Sequence, residues 1–220
     1  MPTTLPDQTR HATHELDPAL MPRAEVYGLL TATVAPRPIA WVSTRDAAGV
    51  PNLAPHSYFT VLSHQPPMLG FVSVGRKDTL RNVEATGEYV INVAGEDLIA
   101  ALNTTAANAP PGESEFPWAG VMPEPAARVS APRVAEAPVA FELRLVEAKP
   151  TGDSFLIIGE VIHVRIAARV LRDGRVAPDL LRPVGRMAGA TYARTGDRFD
   201  LARPTFADLL ARADAPTPAG

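Results

Sequence analysis

"VAFELRLVEAKP" (Val139–Pro150) and "SFLIIGEVIHVRIAARV" (Ser154–Val170) are separated only by "TGD", and their reading decides the fold class. Both runs are rich in β-branched and long apolar residues, and the short break carries a glycine, which is the pattern of two strands joined by a tight turn. In the second run Ile158, Ile162, Val164 and Ile166 mostly alternate with polar positions, including His163 and Arg165. That alternation predicts one core face and one outward face, with His163 outward. Gly159 interrupts the run where a bend or bulge lets a sheet curl.

Shorter segments of the same kind precede this pair. "IAWVST" (Ile39–Thr44), "MLGFVSV" (Met68–Val74) and "EYVINVA" (Glu88–Ala94) read as strands, and "RDAAG" after the first reads as a turn with Gly49 free to take positive φ. "DTLRNVEATG" reads as a helix with Asp78 as its N-cap, Leu80 and Val83 on its core face and Gly87 as its stop. "AEVYGLL" predicts a short helix or turn, and "EDLIAALNTTAA" a second helix, followed by an exposed loop with Pro110, Pro111 and Gly112. Six or seven strands with few helices predict a mainly β fold with short flanking helices, drawn into a small closed barrel. The missing βαβ rhythm argues against a dinucleotide-binding sheet. Three regions are expected: a mobile arm at 1–21, one domain at 22–203, and a tail at 204–220. The tail holds a short amphipathic helix in which Phe206, Leu209 and Leu210 share one face, with Phe206 and Leu210 docking on the barrel or a partner subunit.

Composition removes several classes of function. The 220 residues, 46% of them hydrophobic, suffice for one sizeable core. A net charge of −3 and a pI near 6.0 argue against a nucleic-acid partner, since Lys and Arg never run beyond two in sequence. With no cysteine there is no disulfide, thiolate nucleophile or Cys-ligated metal. No stretch approaches the ~20 apolar residues of a membrane helix, so a cytoplasmic protein without a membrane is expected. His11 and His14 in "HATH" have metal-ligand spacing but no evident third ligand, and no metal site is expected.

Two stretches carry candidate chemistry. "NLAPHSYF" (Asn52–Phe59) mixes apolar residues with polar ones and with Pro55, which has no N–H for a ladder. It is either a strand that turns its backbone toward a ligand or an ordinary edge strand. "VGRKDTLRN" (Val74–Asn82) delivers Gly75, Arg76 and Lys77 to a helix start, with the Thr79 hydroxyl beside them. This can cradle one phosphate, or it can be a solvated helix start capped by Asp78. Hydrolase readings are weaker: His56 and Ser57 are adjacent, so on a strand they face opposite ways, and no G-x-S-x-G elbow occurs.

"PRPIAWVST", "NLAPHSYFTVLSHQPP", "KDTLRNVEATGEYVINV" and "IIGEVIHV", in this order and spacing, strongly resemble the flavin-reductase-like proteins of the FMN-binding split-barrel fold. The resemblance runs from about Tyr27 to Tyr192. It implies a split β-barrel that binds FMN, an NAD(P)H-dependent oxidoreductase passing hydride to flavin N5, and a homodimer. The alternative is an FMN carrier that serves a monooxygenase or electron-transfer partner without its own NADH or NADPH reaction. By the same resemblance Ser43 and Thr44 lie near the ribityl chain or ring, and the backbone at Asn52, Ala54, His56 and Ser57 faces the flavin. Arg76, Lys77, Thr79 and Asn82 surround the phosphate, and Arg186 and Tyr192 lie beside the cofactor. The small-molecule substrate and the catalytic residues are not indicated. One position departs: where short-chain members commonly have Gly-Asp-His, this chain has "GDS", with Ser154 in the histidine's place.

Overall fold

The computed structural model describes residues 13–110 and 112–213, the side chains of 211–213 excepted. In chain order the elements are α1 (Arg23–Thr33), β1 (Ala40–Arg45), β2 (Pro51–His56), β3 (Phe59–His64), β4 (Pro67–Val74), α2 (Asp78–Thr86) and β5 (Glu88–Val93). There follow α3 (Ile99–Thr104), α4 (Phe116–Ala119), the two-residue strands β6 (Pro123–Glu124) and β7 (Arg133–Val134), and the long β8 (Val139–Thr151) and β9 (Ser154–Ile166). The chain ends with β10 (Leu171–Arg172), β11 (Arg175–Val176), α5 (Pro178–Leu181), β12 (Val184–Arg186), β13 (Tyr192–Arg194) and α6 (Phe206–Ala213). No helix among the described residues is long and apolar enough to cross a membrane.

Seven strands form one antiparallel sheet in the order β2-β1-β5-β8-β9-β4-β3. Val42 of β1 and Phe71 of β4 are separated by three intervening strands, yet both sit in one fully buried cluster with Leu80, Tyr89, Leu143 and Ile157. Only a sheet curled on itself brings such residues together, and Leu80 and Val83 of α2 complete that interior. β1 is buried on both faces. Trp41 points the other way, into a second cluster with Leu53, Leu102, Phe116 and Val184. The curl does not become the closed barrel expected from the strand count. Among the described residues β2 pairs only with β1 and β3 only with β4, so the wall stays split between β2 and β4.

The β8–β9 hairpin appears as expected, but with the opposite parity. The core side of β9 is Phe155, Ile157 and Val161, whereas Val164 and Ile166 are about 40% exposed. The pairing skips Ile162 in β9, and this extra residue flips the faces beyond it, so Val164, opposite Phe141, returns to the side of Val161 while His163, opposite Glu142, lies on the other. His163 faces away from the barrel interior, as expected, but is not free. Its Nδ1 lies 3.2 Å from the buried Glu142 carboxylate, which also accepts from the Ala127 and Arg128 amides. β3 has no counterpart among the expected strands because its solvent-facing residues show no apolar alternation. In the tail, α6 forms where the amphipathic run lies, but Phe206, Leu209 and Leu210 remain 74%, 47% and 52% exposed and do not dock on the barrel.

Gly159 pairs with Leu69 and, beside the extra residue Val146 of β8, with Leu145; it has no positive φ, and its smallness answers a close approach. A Cβ there would lie 2.8 Å from Tyr89 Cζ and 3.1 Å from Leu143 Cδ2. Tyr89 is fully buried with an unpaired hydroxyl, and burial pushes its ionisation far up. Gly159→Ala should destabilise the protein by about 1–3 kcal/mol in urea unfolding. Tyr89→Phe should be neutral or stabilising by about 1 kcal/mol and should lessen the Gly159→Ala cost, because it removes an unsatisfied buried hydroxyl and the nearest clashing atom.

Candidate functional site

Where β4 ends, Gly75 turns the chain with φ 75°, a conformation that favours glycine, and Ser73 Oγ donates to the Gly75 carbonyl at 3.0 Å. Lys77 in extended conformation is the N-cap of α2 and provides no side-chain cap. The expected cap, Asp78, is instead the first helical residue and pairs with Arg81 one turn on. The first-turn amides of α2 therefore lack a side-chain acceptor, at the positive end of the helix dipole. Arg76 lies 5.4 Å over the Phe155 ring and donates to Glu84 Oε1 at 3.3 Å, while Lys77 makes no ion pair among the described residues.

This helix start forms one end of a cleft of about 400 Å³. Seven of the residues singled out in the sequence line it: Asn52, Ala54, His56, Ser57, Arg76, Lys77 and Thr79. Tyr27 of α1, Tyr58, the Thr105–Ala109 segment and Glu115 also line it, with Pro55, Val72 and Val74 of the walls and Asp78 and Arg81 of α2. None of the first four was indicated by sequence reasoning. Trp41 Nε1 donates to Thr105 Oγ1 at 2.9 Å, which ties that segment to the core.

A chain of hydrogen bonds runs across the floor. The Glu115 carboxylate accepts from Asn52 Nδ2 at 3.0 Å and from the Leu53 amide at 2.8 Å. This fixes the Asn52 amide so that Oδ1 faces Thr44 Oγ1 and Thr79 Oγ1, each at 3.2 Å. Thr79 Oγ1 also lies 3.4 Å from His56 Nε2, and His56 Nδ1 lies 3.2 Å from the Val72 carbonyl. Since a carbonyl only accepts, Nδ1 carries the proton of the neutral ring and Nε2 is left as an acceptor. Thus His56 bridges the split between β2 and β4. Burial, with a smaller contribution from the Lys77 charge and against the Val72 hydrogen bond, lowers its pKa from 6.5 to about 4. Burial also raises the Glu115 pKa, against its bonds to Leu53 and Asn52.

β2 resolves both readings of "NLAPHSYF", since it is an edge strand and also a cleft wall. Leu53 gives its N–H to Glu115 and Pro55 has none, so neither donates to β1. The ladder pairs are consequently Asn52 with Thr44, Ala54 with Val42 and His56 with Ala40. This corrects the expectation for the backbone of Asn52, Ala54 and His56, which is turned toward β1 while their side chains line the cleft. The free edge belongs to Leu53, Pro55 and Ser57.

The remaining candidates lie elsewhere. Ser43 is fully buried on the Trp41 face, with its hydroxyl on the Pro132 carbonyl at 2.5 Å, and does not reach the cleft. Thr44 is fully buried beneath Asn52, and Asn82 Nδ2 donates to it at 3.0 Å, so this pair braces the floor from below. Arg186 and Tyr192 line a smaller neighbouring cavity. Ser154, where the family histidine would stand, is nearly buried and donates to Asp153 Oδ1 at 2.8 Å, outside both cavities. His11 lies outside the described residues, and among those described no group of three metal-ligating side chains forms.

A depressed histidine pKa contributes stability that is present above 6.5 and lost as pH falls toward 4. His56→Asn should therefore lose less stability than the parent between pH 7 and pH 4.5, by on the order of 2 kcal/mol in urea unfolding. Glu115 has the opposite sign, its contribution falling as pH rises through its elevated pKa, and it is common to both proteins.

Comparison with known proteins agrees with this architecture. Residues 33–192 match the model of the "Flavin reductase like domain". An uncharacterized protein of Halalkalibacterium halodurans is 39% identical over 204 residues, covering 87% of this chain and 97% of its own. Nitrilotriacetate monooxygenase component B from Bacillus cereus superposes with a TM-score of 0.82 at 36% identity, covering 86% of this chain and 99% of that one. The 2-nitrobenzoate 2-nitroreductase of Pseudomonas fluorescens superposes with the same TM-score, 0.82, at 27% identity over 94% of this chain and 100% of that one. With the domain match spanning most of its length and a curled, split antiparallel sheet beneath it, the chain belongs to the flavin reductase-like family.

Proposed function

We propose that the protein is an FMN-binding oxidoreductase that takes hydride from NADH or NADPH and passes it to a small-molecule acceptor. The observation that carries this reading is the cleft with its cationic, uncapped helix start at one end and the free edge of β2 along its side. The donor set fits the cofactor. A phosphate would meet the first-turn amides of α2, the Lys77 ammonium, Arg76 and the Thr79 hydroxyl. The volume, about 400 Å³, lies within the ~300–1,000 Å³ common for small-molecule sites. Bound there, FMN supplies a two-electron carrier that the protein's own side chains lack. The chain's part is to hold and orient. Glu115 locks Asn52, Asn52 and Thr79 hold a polar floor, and neutral His56 keeps that floor free of a second positive charge beside Lys77.

A second reading, an FMN carrier for a separate oxygenase or electron-transfer partner, is supported by the likeness to a monooxygenase component B and by Ser154 in place of the histidine. Anaerobic titration separates the two: bleaching of the flavin absorbance by NADH or NADPH supports the first, and no bleaching supports the second. Cytoplasmic location follows from use of a soluble nicotinamide coenzyme.

Replacing both Arg76 and Lys77 with Ala should weaken FMN by about tenfold or more and riboflavin far less, since only FMN carries the phosphate. Equal loss for the two ligands sinks the assignment of the phosphate end. The working unit we propose is a homodimer. Tyr27 and Leu30 of α1 and Val34 at its C-cap are exposed apolar residues, Tyr27 in the cleft wall itself, and the split sheet keeps two open edges. Sedimentation equilibrium should return about twice the 23.4 kDa chain mass.

A further inference from the structure

Next to the large cleft lies a second cavity of about 170 Å³, and the two share Tyr27, Pro55, Ser57 and Ala106 in their walls. It begins at the end of the cleft away from α2, where β2 stops. Two guanidinium groups face it, and none of the described residues lining it is acidic.

The two arginines are held differently. Arg37 is nearly buried and serves as a pin: Nη1 donates to the Thr31 and Val34 carbonyls at 2.6 and 2.9 Å, and Nη2 to Met187 at 3.0 Å. Its Nε is buried without a partner. All its acceptors are neutral carbonyls, so no carboxylate among the described residues pairs with its charge. Arg186 lies 4.5 Å over the Tyr192 ring, and its one side-chain hydrogen bond among the described residues is to the Gly189 carbonyl. The Tyr192 hydroxyl is held by Asn103 Oδ1 at 2.9 Å, which fixes the ring under the guanidinium. Most donors of Arg186 are thus unused, and the Ser57 hydroxyl has no protein partner among the described residues. A small cavity with two uncompensated cations and free donors favours an anion over a neutral guest.

We infer that this second cavity is the subsite for the carboxylate of the reactant that exchanges electrons with the cofactor, and that Arg186 is its specificity-determining residue. The inference rests on the FMN reading only in what occupies the larger cleft. A volume of about 170 Å³ is below the ~300–1,000 Å³ of sites for drug-sized ligands, so the guest is a single ring or its equivalent, not a dinucleotide. A planar carboxylate matches the forked guanidinium donors. Arg186 and Tyr192 then serve the second reactant rather than FMN.

The test uses benzoate as the anionic probe and benzamide as its neutral isostere, each titrated calorimetrically into the full chain with and without FMN. Benzoate should bind about tenfold or more tightly than benzamide. Arg186→Gln should remove that preference while leaving FMN bound, and Arg186→Lys should keep part of it. Ser57→Ala should weaken benzoate more than benzamide with the arginines in place, which guards against a folding defect in the Arg186 variants. Equal binding of the two probes overturns the proposal. So does loss of FMN from Arg186→Gln, which makes Arg186 a cofactor ligand, or a raised KM for NADH with unchanged benzoate affinity, which gives the cavity to the coenzyme. A chain that prefers benzoate but does not bind FMN overturns the cofactor reading and leaves the anion subsite standing.

Discussion

The free edge of β2 is the constraint on which the cleft depends. An edge strand exposes backbone donors that invite another strand, and closing the barrel would satisfy them at the cost of the cleft. Here the edge is satisfied otherwise. Leu53 gives its amide to the Glu115 carboxylate, and Pro55 has no amide to give. Because the same carboxylate holds Asn52 Nδ2, one buried acid both finishes the strand edge and sets the orientation of the floor amide. A buried carboxylate is costly when unpaired, and its elevated pKa registers that cost; hydrogen bonds from two fixed donors, Asn52 Nδ2 and the Leu53 amide, offset it.

The two buried faces of β1 explain why the cleft sits where it does. Ala40 and Val42 face the barrel interior, whereas Ile39 and Trp41 face the layer of α3, α4 and β12. β1 is thereby fixed from both sides, and β2 is held by its ladder to β1, by Leu53 in the Trp41 cluster and by the Glu115 carboxylate. The opposing wall is set by β4 and α2, whose Phe71, Leu80 and Val83 pack into the same interior as Ala40 and Val42. Two rigid walls with no shared ladder leave a gap whose width is limited by His56, which reaches from β2 to the Val72 carbonyl and packs 4.8 Å from the Phe71 ring.

Much of this was legible in the sequence, and the failures have physical causes. The long hairpin, the strand–helix junction at Gly75 and the αL stop at Gly87 follow from local pattern and turn chemistry. The parity of β9 does not, because both faces of its first half carry long apolar residues, Phe155 and Ile157 on one and Leu156 and Ile158 on the other, so periodicity does not choose between them. Ser43 was read as a cofactor neighbour because motif position says which strand a residue is on, not which face it presents. Glu115 was invisible since the polar, proline-rich loop around it looks solvated; only the burial of the adjacent Phe116 draws it inward. Asp78 looked like a cap because Asp commonly is one, but Arg81 one turn later offers it a charged partner instead.

The distribution of charge matters more than its sum. The chain as a whole carries −3, and at physiological ionic strength fields between exposed charges fade within about 8 Å. An anionic ligand is therefore governed by the groups that face it. Lys77 and the α2 amides stand at one end of the continuous hollow and Arg186 with Arg37 at the other, while the floor between them is made of Asn52, Thr79 and a histidine kept neutral by burial. A positive His56 would merge the two ends into one continuous cationic trough with no preferred register for an elongated anion. Its neutrality keeps them distinct, so that the orientation of whatever binds is decided by which end its own negative groups can reach.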